Sequence, residues 1–340
     1  MKMFERIKKY CNFAAPSGYE FLMHDMIRAD IESYADSIET DGMGNLVAFK
    51  KGKRTPSAPI VVSAHMDEVG MMVSYVTDDG RIYFSPVGGI DRRVLAGKRV
   101  IVGDKQIDGV VVSKQMHLLP PSERGKCDDS SEMYIDIGAG SSDEVLELIS
   151  IGDPVAFIPN YAEFGDGFVR SKAIDDRLGC AVLAELIRQE LEYDTYFAFC
   201  VSEECGCFGA QAVCKRIKPG LAVVVESTTA GDIAGAPEHK KACCLREGAV
   251  VSHMDNGTIY DRETVEGVMA LADEKGIKAQ LKNIVAGGNE AKAYQTSSAA
   301  CKVVAISCPT RYIHSPACVA AKQDMQAVYE LVAAIIERGI

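Results

Sequence analysis

The sequence contains no hydrophobic run that approaches the roughly 18 apolar residues of a membrane-spanning helix. Its charged N-terminal stretch, residues 1–9, lacks the apolar segment of a signal peptide. Basic residues are fewer than acidic ones, with 37 Lys and Arg compared with 48 Asp and Glu. The resulting net charge of −11 argues against binding nucleic acid or an anionic membrane through a basic face. These absences favour a cytoplasmic protein that binds neither nucleic acid nor membrane.

Paired Cys-x-x-Cys spacings, which mark structural zinc sites, are also missing, although the chain has 12 cysteines. The close pairs are Cys205 with Cys207 and Cys243 with Cys244. Several other cysteines lie inside apolar segments, where a thiol acts as a small hydrophobic group. We expect all of them to be reduced thiols, and Cys205 and Cys207, which flank an acidic pair, are the candidates for redox sensitivity.

The 340 residues predict two domains that differ in their pattern of helices and strands. Over residues 1–69 and 165–340, short apolar runs alternate with helical segments, which predicts an α/β domain with a mixed, mainly parallel sheet between helices. Ser17 and Glu20 have the spacing of a capping box for a helix over residues 19–34. Residues 70–164 show short strand-like runs separated by glycine-containing turns, which predicts an inserted β-rich domain.

Two adjacent carboxylates, Glu203 and Glu204, follow a strand-like run over residues 196–201. Since neighbouring side chains of an extended chain point to opposite faces, both can serve one site only if the backbone leaves the extended form at Ser202. Such a pair suits a site in which one carboxylate binds a metal and the other moves a proton. Two solvated loop glutamates would have the same local sequence, so the pair needs support from the rest of the chain.

His65 and Asp67 directly follow a second apolar run, residues 59–63, which predicts a buried strand. In a nearly extended backbone, residues two positions apart share a face. The carboxylate of Asp67 can therefore orient the imidazole of His65, or both can approach one centre.

Polar residues that follow other predicted elements point to the same edge of the sheet. Glu226 and His314 lie beyond predicted strands over residues 220–225 and 302–306, and Asp175 lies at a turn that opens a helix. Because open α/β sheets place their sites at the carboxyl ends of the strands, we expect these side chains to converge. The converging set is His65, Asp175, Glu203, Glu204, Glu226 and His314.

Two histidines and three carboxylates form a suitable ligand set for two divalent ions such as Zn²⁺. Two doubly charged cations against Asp175, Glu204 and Glu226 leave one positive charge, which a bridging hydroxide neutralises. Glu203 is then free to act as the general base. A two-metal centre lowers the pKa of bound water and stabilises a hydrolytic transition state.

The chain resembles the tetrahedral (TET) metalloaminopeptidases in the order and spacing of five motifs, and the resemblance covers nearly its whole length. That family includes glutamyl, leucyl and lysyl aminopeptidases, and its members are often labelled cellulase M or endoglucanase. The motifs are Ala64-His-Met-Asp-Glu-Val-Gly70, Ala173-Ile-Asp-Asp-Arg177, Ser202-Glu-Glu204, Val225-Glu226 and Tyr312-Ile-His-Ser315.

The resemblance implies a zinc or cobalt aminopeptidase with two metal ions bridged by Asp175. One ion would be held by His65, Asp175 and Glu226, and the other by Asp175, Glu204 and His314. Glu203 would be the general base that activates a metal-bridging water, and Asp67 would orient His65. A cis peptide bond between Asp175 and Asp176 is also implied.

The resemblance further implies a zinc-peptidase-like fold, a PDZ-like barrel used for dimerisation, and a hollow tetrahedron of twelve subunits built from dimers. Peptides would be the substrates.

Two departures from the family pattern are visible. Glu226 stands where many members have Asp, and Gly287-Gly-Asn-Glu-Ala291 replaces the usual sequence of a loop near the substrate.

Three alternative functions remain open from the residues. A deacylase of N-acyl amino acids would use a similar metal centre. A metal-independent endoglucanase would need only two carboxylates that flank a sugar. A catalytically silent assembly protein would keep metals for structure, but the intact Glu203 speaks against it.

Overall fold

An eight-stranded mixed sheet forms the centre of the larger part of the protein in a computed structural model that describes residues 2–296 and 301–339. The four inner strands run parallel and the outer pairings are largely antiparallel. The strands in spatial order are β1 (Ser37–Thr40), β2 (Leu46–Lys50), β12 (Thr195–Cys200), β3 (Ile60–His65), β13 (Leu221–Thr229), β16 (Lys302–Thr310), β14 (Ala249–Val251) and β15 (Ala279–Leu281).

Helices with one apolar face pack against this sheet. The C-terminal helix, Lys322–Arg338, buries Val328, Leu331 and Ile335 at helical spacing. The helices are α1 (Met3–Cys11), α2 (Phe21–Ile31), α4 (Ile174–Leu186), α5 (Phe208–Ile217), α6 (Arg262–Lys275), α7 (Ala291–Gln295) and α8 (Lys322–Arg338). The helix α4 packs on β3 and β13, which carry two of the predicted site residues.

A closed antiparallel barrel forms the inserted β-rich part, with its own buried core around Met71, Val100 and Ile135. Its strands in spatial order are β4 (Gly70–Val76), β5 (Ile82–Val87), β8 (Tyr134–Asp136), β7 (Ile107–Val112), β6 (Arg99–Val102) and β9 (Pro154–Phe157), and a short helix, α3 (Ser142–Leu146), lies between β8 and β9. The predicted fold class, a mixed α/β sheet with an inserted β-barrel, is confirmed. The exact division at residues 69/70 and 164/165 stays a prediction.

A separate small sheet joins the chain after the barrel to the region before the last helix. It consists of β10 (Ala162–Phe164), β11 (Phe168–Ser171) and β17 (Cys318–Ala321). All twelve cysteines of the chain are free thiols. Among the residues that the structure describes, no helix has both the length and the apolar character needed to cross a membrane.

Several local predictions are corrected. The capping box of Ser17 and Glu20 is wrong, because α2 begins at Phe21 with no side-chain cap and the Ser17 hydroxyl instead donates to Asp67. The strand β13 continues to Thr229, so Glu226 lies within a strand rather than beyond its end. The helix predicted over residues 19–34 is shorter, because α2 covers only Phe21–Ile31, and the elements β14, β17 and α7 were not predicted.

Candidate metal centre

His65 is the last residue of β3, and its imidazole is 1% exposed among three carboxylates. Its Nε2 atom lies 3.4 Å from Asp175 Oδ1 and 3.6 Å from Glu226 Oε2. On the other side of the ring, Nδ1 lies 3.3 Å from Asp67 Oδ1. The strand therefore delivers this side chain to the sheet edge as predicted, with Asp67 on the far side of the ring from the remaining acids.

His314 approaches the same carboxylates from the loop after β16. Its Nε2 atom lies 3.3 Å from both Asp175 Oδ2 and Glu204 Oε2. Its Nδ1 atom lies 3.0 Å from the carbonyl oxygen of Gly89, which belongs to the inserted part of the chain. Because a carbonyl only accepts, Nδ1 carries the hydrogen, and in the neutral ring the lone pair of Nε2 faces two carboxylate oxygens.

Asp175 lies between the two histidines and presents one carboxylate oxygen to each of them. Its backbone is non-helical at the start of α4, and the peptide bond to Asp176 is cis, as the resemblance implied. The carboxylate of Asp176 instead accepts from the backbone N–H of Gly179 at 2.9 Å. Asp176 therefore caps the regular part of α4.

The acidic pair follows a backbone reversal at Ser202, which has a φ of +54°. The chain leaves the extended form at the residue where the sequence required it. Asp67 fixes the backbone of the pair, because its carboxylate accepts hydrogen bonds from the backbone N–H groups of Glu203 at 3.0 Å and Glu204 at 3.1 Å. The Ser17 hydroxyl donates to the same carboxylate at 2.6 Å. Asp67 thus connects His65 to both glutamates.

Electrostatics in this cluster favour a cation. Burial raises the pKa of Glu204 to about 8, with the Asp175 carboxylate adding to the effect. Burial likewise raises the pKa of Glu226 well above its usual range and raises that of Glu203. Burying several carboxylates together is costly unless a positive charge compensates them.

The histidines respond in the opposite direction. Burial opposes charge on His65, yet Glu226, Asp175 and Asp67 outweigh it and raise its pKa well above the ordinary value. Burial also opposes charge on His314, but Asp175 and Glu204 raise its pKa to about 9. Both rings therefore sit where positive charge is stabilised.

Unpaired buried oxygens show that the donor set fits divalent ions. Asp175 Oδ1, Glu204 Oε1 and Glu226 Oε1 have no hydrogen-bond partner among the described residues. Ligand atoms of His65, Asp175 and Glu204 lie within 4.8 Å of one another, as do those of His65, Asp176 and Glu226. We favour Asp175 over Asp176 as a ligand, because the Asp176 carboxylate already accepts backbone hydrogen bonds while Asp175 Oδ1 has none.

A cavity of about 480 Å³ opens beside this cluster and is bounded on its other walls by β13, β16 and the loop before α7. Lys282 lines this cavity and was missed from the sequence. It directly follows β15, and a charged residue at a strand end is the signal that identified the acids. The Cys207 thiol donates to Glu203 Oε1 at 3.3 Å.

Comparison with known proteins gives consistent results. A family model described as M42 glutamyl aminopeptidase matches residues 44–331. A putative aminopeptidase of Acetivibrio thermocellus is 36% identical over 337 residues, which cover 98% of both chains.

Solved structures of similar fold cover nearly the whole chain. A TET aminopeptidase from the marine sediment archaeon Thaumarchaeota archaeon SCGC AB-539-E09 has a TM-score of 0.94 and 33% identity, covering 99% of this chain and 96% of its own. The TET1 peptidase of Pyrococcus horikoshii, described as assembling into a tetrahedron or a large octahedral shell, has a TM-score of 0.87 and 32% identity, with 98% and 99% coverage.

Proposed function

The chain belongs to the M42 glutamyl aminopeptidase family, and we propose that it removes the N-terminal residue of peptides with two divalent metal ions at the site around Asp175. One observation carries the proposal: the two oxygens of a buried carboxylate face two histidines from opposite sides, with unpaired carboxylate oxygens around them. Such a set is costly without cations, since each unpaired buried oxygen costs free energy.

The residues around Asp175 divide into two ligand groups. His65, Asp175 and Glu226 would hold one ion, and Asp175, Glu204 and His314 the other, with zinc or cobalt as the expected metals. Nitrogen and carboxylate donors of this kind suit zinc. When bound, the ions would polarise the scissile carbonyl and lower the pKa of the attacking water.

Glu203 is the proposed general base. It takes a proton from the attacking water and delivers that proton to the leaving amine, which is the usual double role of one acid–base group. Burial raises the pKa of Glu203, which brings its proton affinity closer to that required for both transfers. The free α-amino group of the substrate would lie among the carboxylates of the site.

Asp67 positions the reacting groups rather than reacting itself. Its carboxylate faces His65 Nδ1 and accepts both backbone N–H groups of the glutamate pair. A carboxylate behind a ligand imidazole fixes the ring orientation and increases its basicity as a ligand.

We also propose that the protein is a homo-oligomer, with dimers that assemble into a tetrahedral dodecamer. The similarity to a peptidase described as forming a tetrahedron supports this, as does the predicted role of the barrel in dimerisation. A cytoplasmic location is proposed from the acidic chain and its free cysteines. Light scattering of the metal-loaded protein would test the assembly.

The decisive experiment compares Glu203→Gln with Glu204→Gln, since the two neighbours have different proposed roles. Glu203→Gln should retain wild-type metal content and lose activity by about 10²–10⁴-fold. Glu204→Gln should lose metal as measured by elemental analysis. Full turnover by Glu203→Gln, or equal metal content in both variants, would contradict the assignment.

Substrate controls separate the alternative functions. Peptides with a free N-terminus should be cleaved while N-acylated copies are not, and preference for the acylated copies would indicate a deacylase. Activity on cellulose that survives complete chelation would indicate an endoglucanase.

A further inference from the structure

Cys207 directly precedes α5 and lines the active-site cavity beside the proposed general base. Its thiol donates to Glu203 Oε1 at 3.3 Å. Within residues 2–296 and 301–339, no other group donates a hydrogen bond to the Glu203 carboxylate. The second oxygen of this carboxylate therefore has no protein donor in the described part of the chain, and a single thiol contacts the first.

The turn between β12 and α5 keeps the backbone of these two residues in place. The carbonyl oxygen of Glu203 accepts from the backbone N–H groups of Gly206 at 2.8 Å and Cys207 at 2.9 Å. The N–H of Phe208 donates to the carbonyl oxygen of Ser202 at 3.2 Å and closes the same turn. The contact between the thiol and the carboxylate is thus made between two side chains whose backbones are fixed by hydrogen bonds.

Cys207 also has a backbone conformation that glycine adopts more easily. Its φ of +57° and ψ of +35° lie in the left-handed region, where a Cβ is disfavoured. Residues held in this region cluster at functional sites, where the surrounding structure offsets the strain. A function of the side chain, namely the bond to Glu203, accounts for a cysteine at a position that would otherwise suit glycine.

The thiol of Cys207 is suited to donate a hydrogen bond rather than to react. Burial raises the pKa of Cys207, and the Glu203 carboxylate adds to this effect. Since the thiolate is the reactive form of cysteine, the S–H group that remains at neutral pH is a donor and a poor nucleophile. Burial raises the pKa of Glu203, whereas the bond from Cys207 acts in the opposite direction and favours the ionised carboxylate that can accept a proton.

We propose that Cys207 is a positioning residue for catalysis, whose S–H group holds Glu203 Oε1 and leaves Oε2 to accept the proton of the attacking water. The inference rests on the proposed role of Glu203 as general base. Cys207 itself neither binds a metal nor contacts the scissile bond. Because the bond acts on the base and not on substrate binding, its loss should lower kcat and leave KM unchanged.

The kinetic test compares three substitutions of Cys207 in the metal-loaded enzyme, with the aminoacyl p-nitroanilide that the wild type hydrolyses fastest. Cys207→Ala and Cys207→Gly remove the donor and should lower kcat by about 10-fold, at the low end for a bond to a charged group because a thiol is a weak donor. Cys207→Ser retains a donor and should keep kcat within about 3-fold of the wild type.

Controls separate positioning from folding and from metal binding. Cys207→Gly relieves the left-handed backbone, so its Tm should equal or exceed that of the wild type although its kcat falls. Metal content should stay at the wild-type level in all three variants. Cys205→Ala is the matched control, since Cys205 is an exposed thiol two positions away, and it should leave kcat unchanged.

Infrared spectroscopy tests the bond without catalysis. The spectrum of the wild type minus that of Cys207→Ala isolates the S–H stretching band of Cys207 from the bands of the other cysteines. A hydrogen bond to a carboxylate is stronger than one to a neutral amide, and a stronger bond lowers the stretching frequency. The band should therefore lie at lower frequency than in the same difference spectrum recorded with Glu203→Gln present in both proteins.

A wild-type kcat in Cys207→Ala or Cys207→Gly overturns the inference, as does a Cys207→Ser variant as slow as Cys207→Ala or a change confined to KM. Equal S–H frequencies with Glu203 and with Gln at that position overturn it as well. Failure of the underlying function looks different. In that case Glu203→Gln keeps full turnover, while the two infrared bands still differ.

Discussion

Replacing Asp67 by Asn should damage both stability and catalysis, because this carboxylate is the connection between His65 and the glutamate pair. It is fully buried, and its two oxygens accept three hydrogen bonds from Ser17, Glu203 and Glu204. Burial opposes its charge, but the contacts with His65, Ser17 and the Glu203 N–H lower the pKa of Asp67 below its ordinary value. The site therefore requires the ionised carboxylate.

The magnitude follows from the hydrogen bonds. An Asn side chain keeps one acceptor oxygen and has an NH₂ donor in place of the other. Each oxygen of Asp67 accepts a backbone N–H, so the NH₂ group faces an N–H donor in either orientation of the amide. Losing one bond to a charged acceptor and leaving a buried donor unpaired costs about 2–5 kcal/mol of the free energy of unfolding. A shift of the glutamate backbone by about 1 Å should reduce kcat by about 10²-fold.

The assay combines urea unfolding, elemental analysis and steady-state kinetics of Asp67→Asn. Ser17→Ala is the graded control, since it removes one donor and should cost only about 1 kcal/mol while metal content stays at the wild-type level. An Asp67→Asn protein with unfolding free energy within about 0.5 kcal/mol of wild type and unchanged kcat would refute this account.

Four further predictions concern other parts of the molecule. Burial raises the pKa of Glu290 to about 7. Between pH 4.5 and 7 the folded state therefore keeps a proton that the unfolded state releases. The free energy of unfolding of the wild type, compared with that of Glu290→Gln, should fall by about 3 kcal/mol as the pH rises from 4.5 through 7. If the free energies of unfolding of the two proteins change equally with pH over that range, this prediction is wrong. Gly209→Ala should destabilise by about 3 kcal/mol or more, because its Cβ would come within 2.3 Å of Asn45 Oδ1. Gly267→Ala, at an open position in the interior of α6, should instead stabilise the protein by about 0.4–1 kcal/mol. Thermal melts of both glycine variants measure these changes. Chelation should abolish activity and lower the Tm, since buried carboxylates lose their counter-charge; a Tm unchanged by chelator would count against the metal centre.

The spacing of short apolar runs was sufficient to predict most strands of the central sheet, although β14 was missed. The strand β3 is buried at all six positions, and a strand buried on both faces is mainly apolar, so it is visible as a short apolar run in the sequence. The reversal at Ser202 was predictable for a different reason: adjacent side chains of a strand diverge, so two acids can share a site only after the chain turns.

Other features could not be read in this way. The spacing of Ser17 and Glu20 fits a capping box, yet Ser17 donates to Asp67, 50 positions along the chain. Local spacing cannot reveal such a partner, because a hydroxyl bonds to whichever acceptor the tertiary fold brings within reach. The helix α7 was missed since its five residues are too few for a periodic signal.

The sequence alone predicted the mixed α/β fold, an inserted β-rich segment and the group of His and acidic residues at the sheet edge. These follow from local patterns: apolar periodicity gives the strands, and strand ends meet at one edge. Only the tertiary structure decided how the oxygens of Asp175 divide between His65 and His314, that Asp67 holds the glutamate backbone, and that Lys282 lines the cavity. These depend on distances between side chains that are far apart in the chain, and distances of that kind are set by packing.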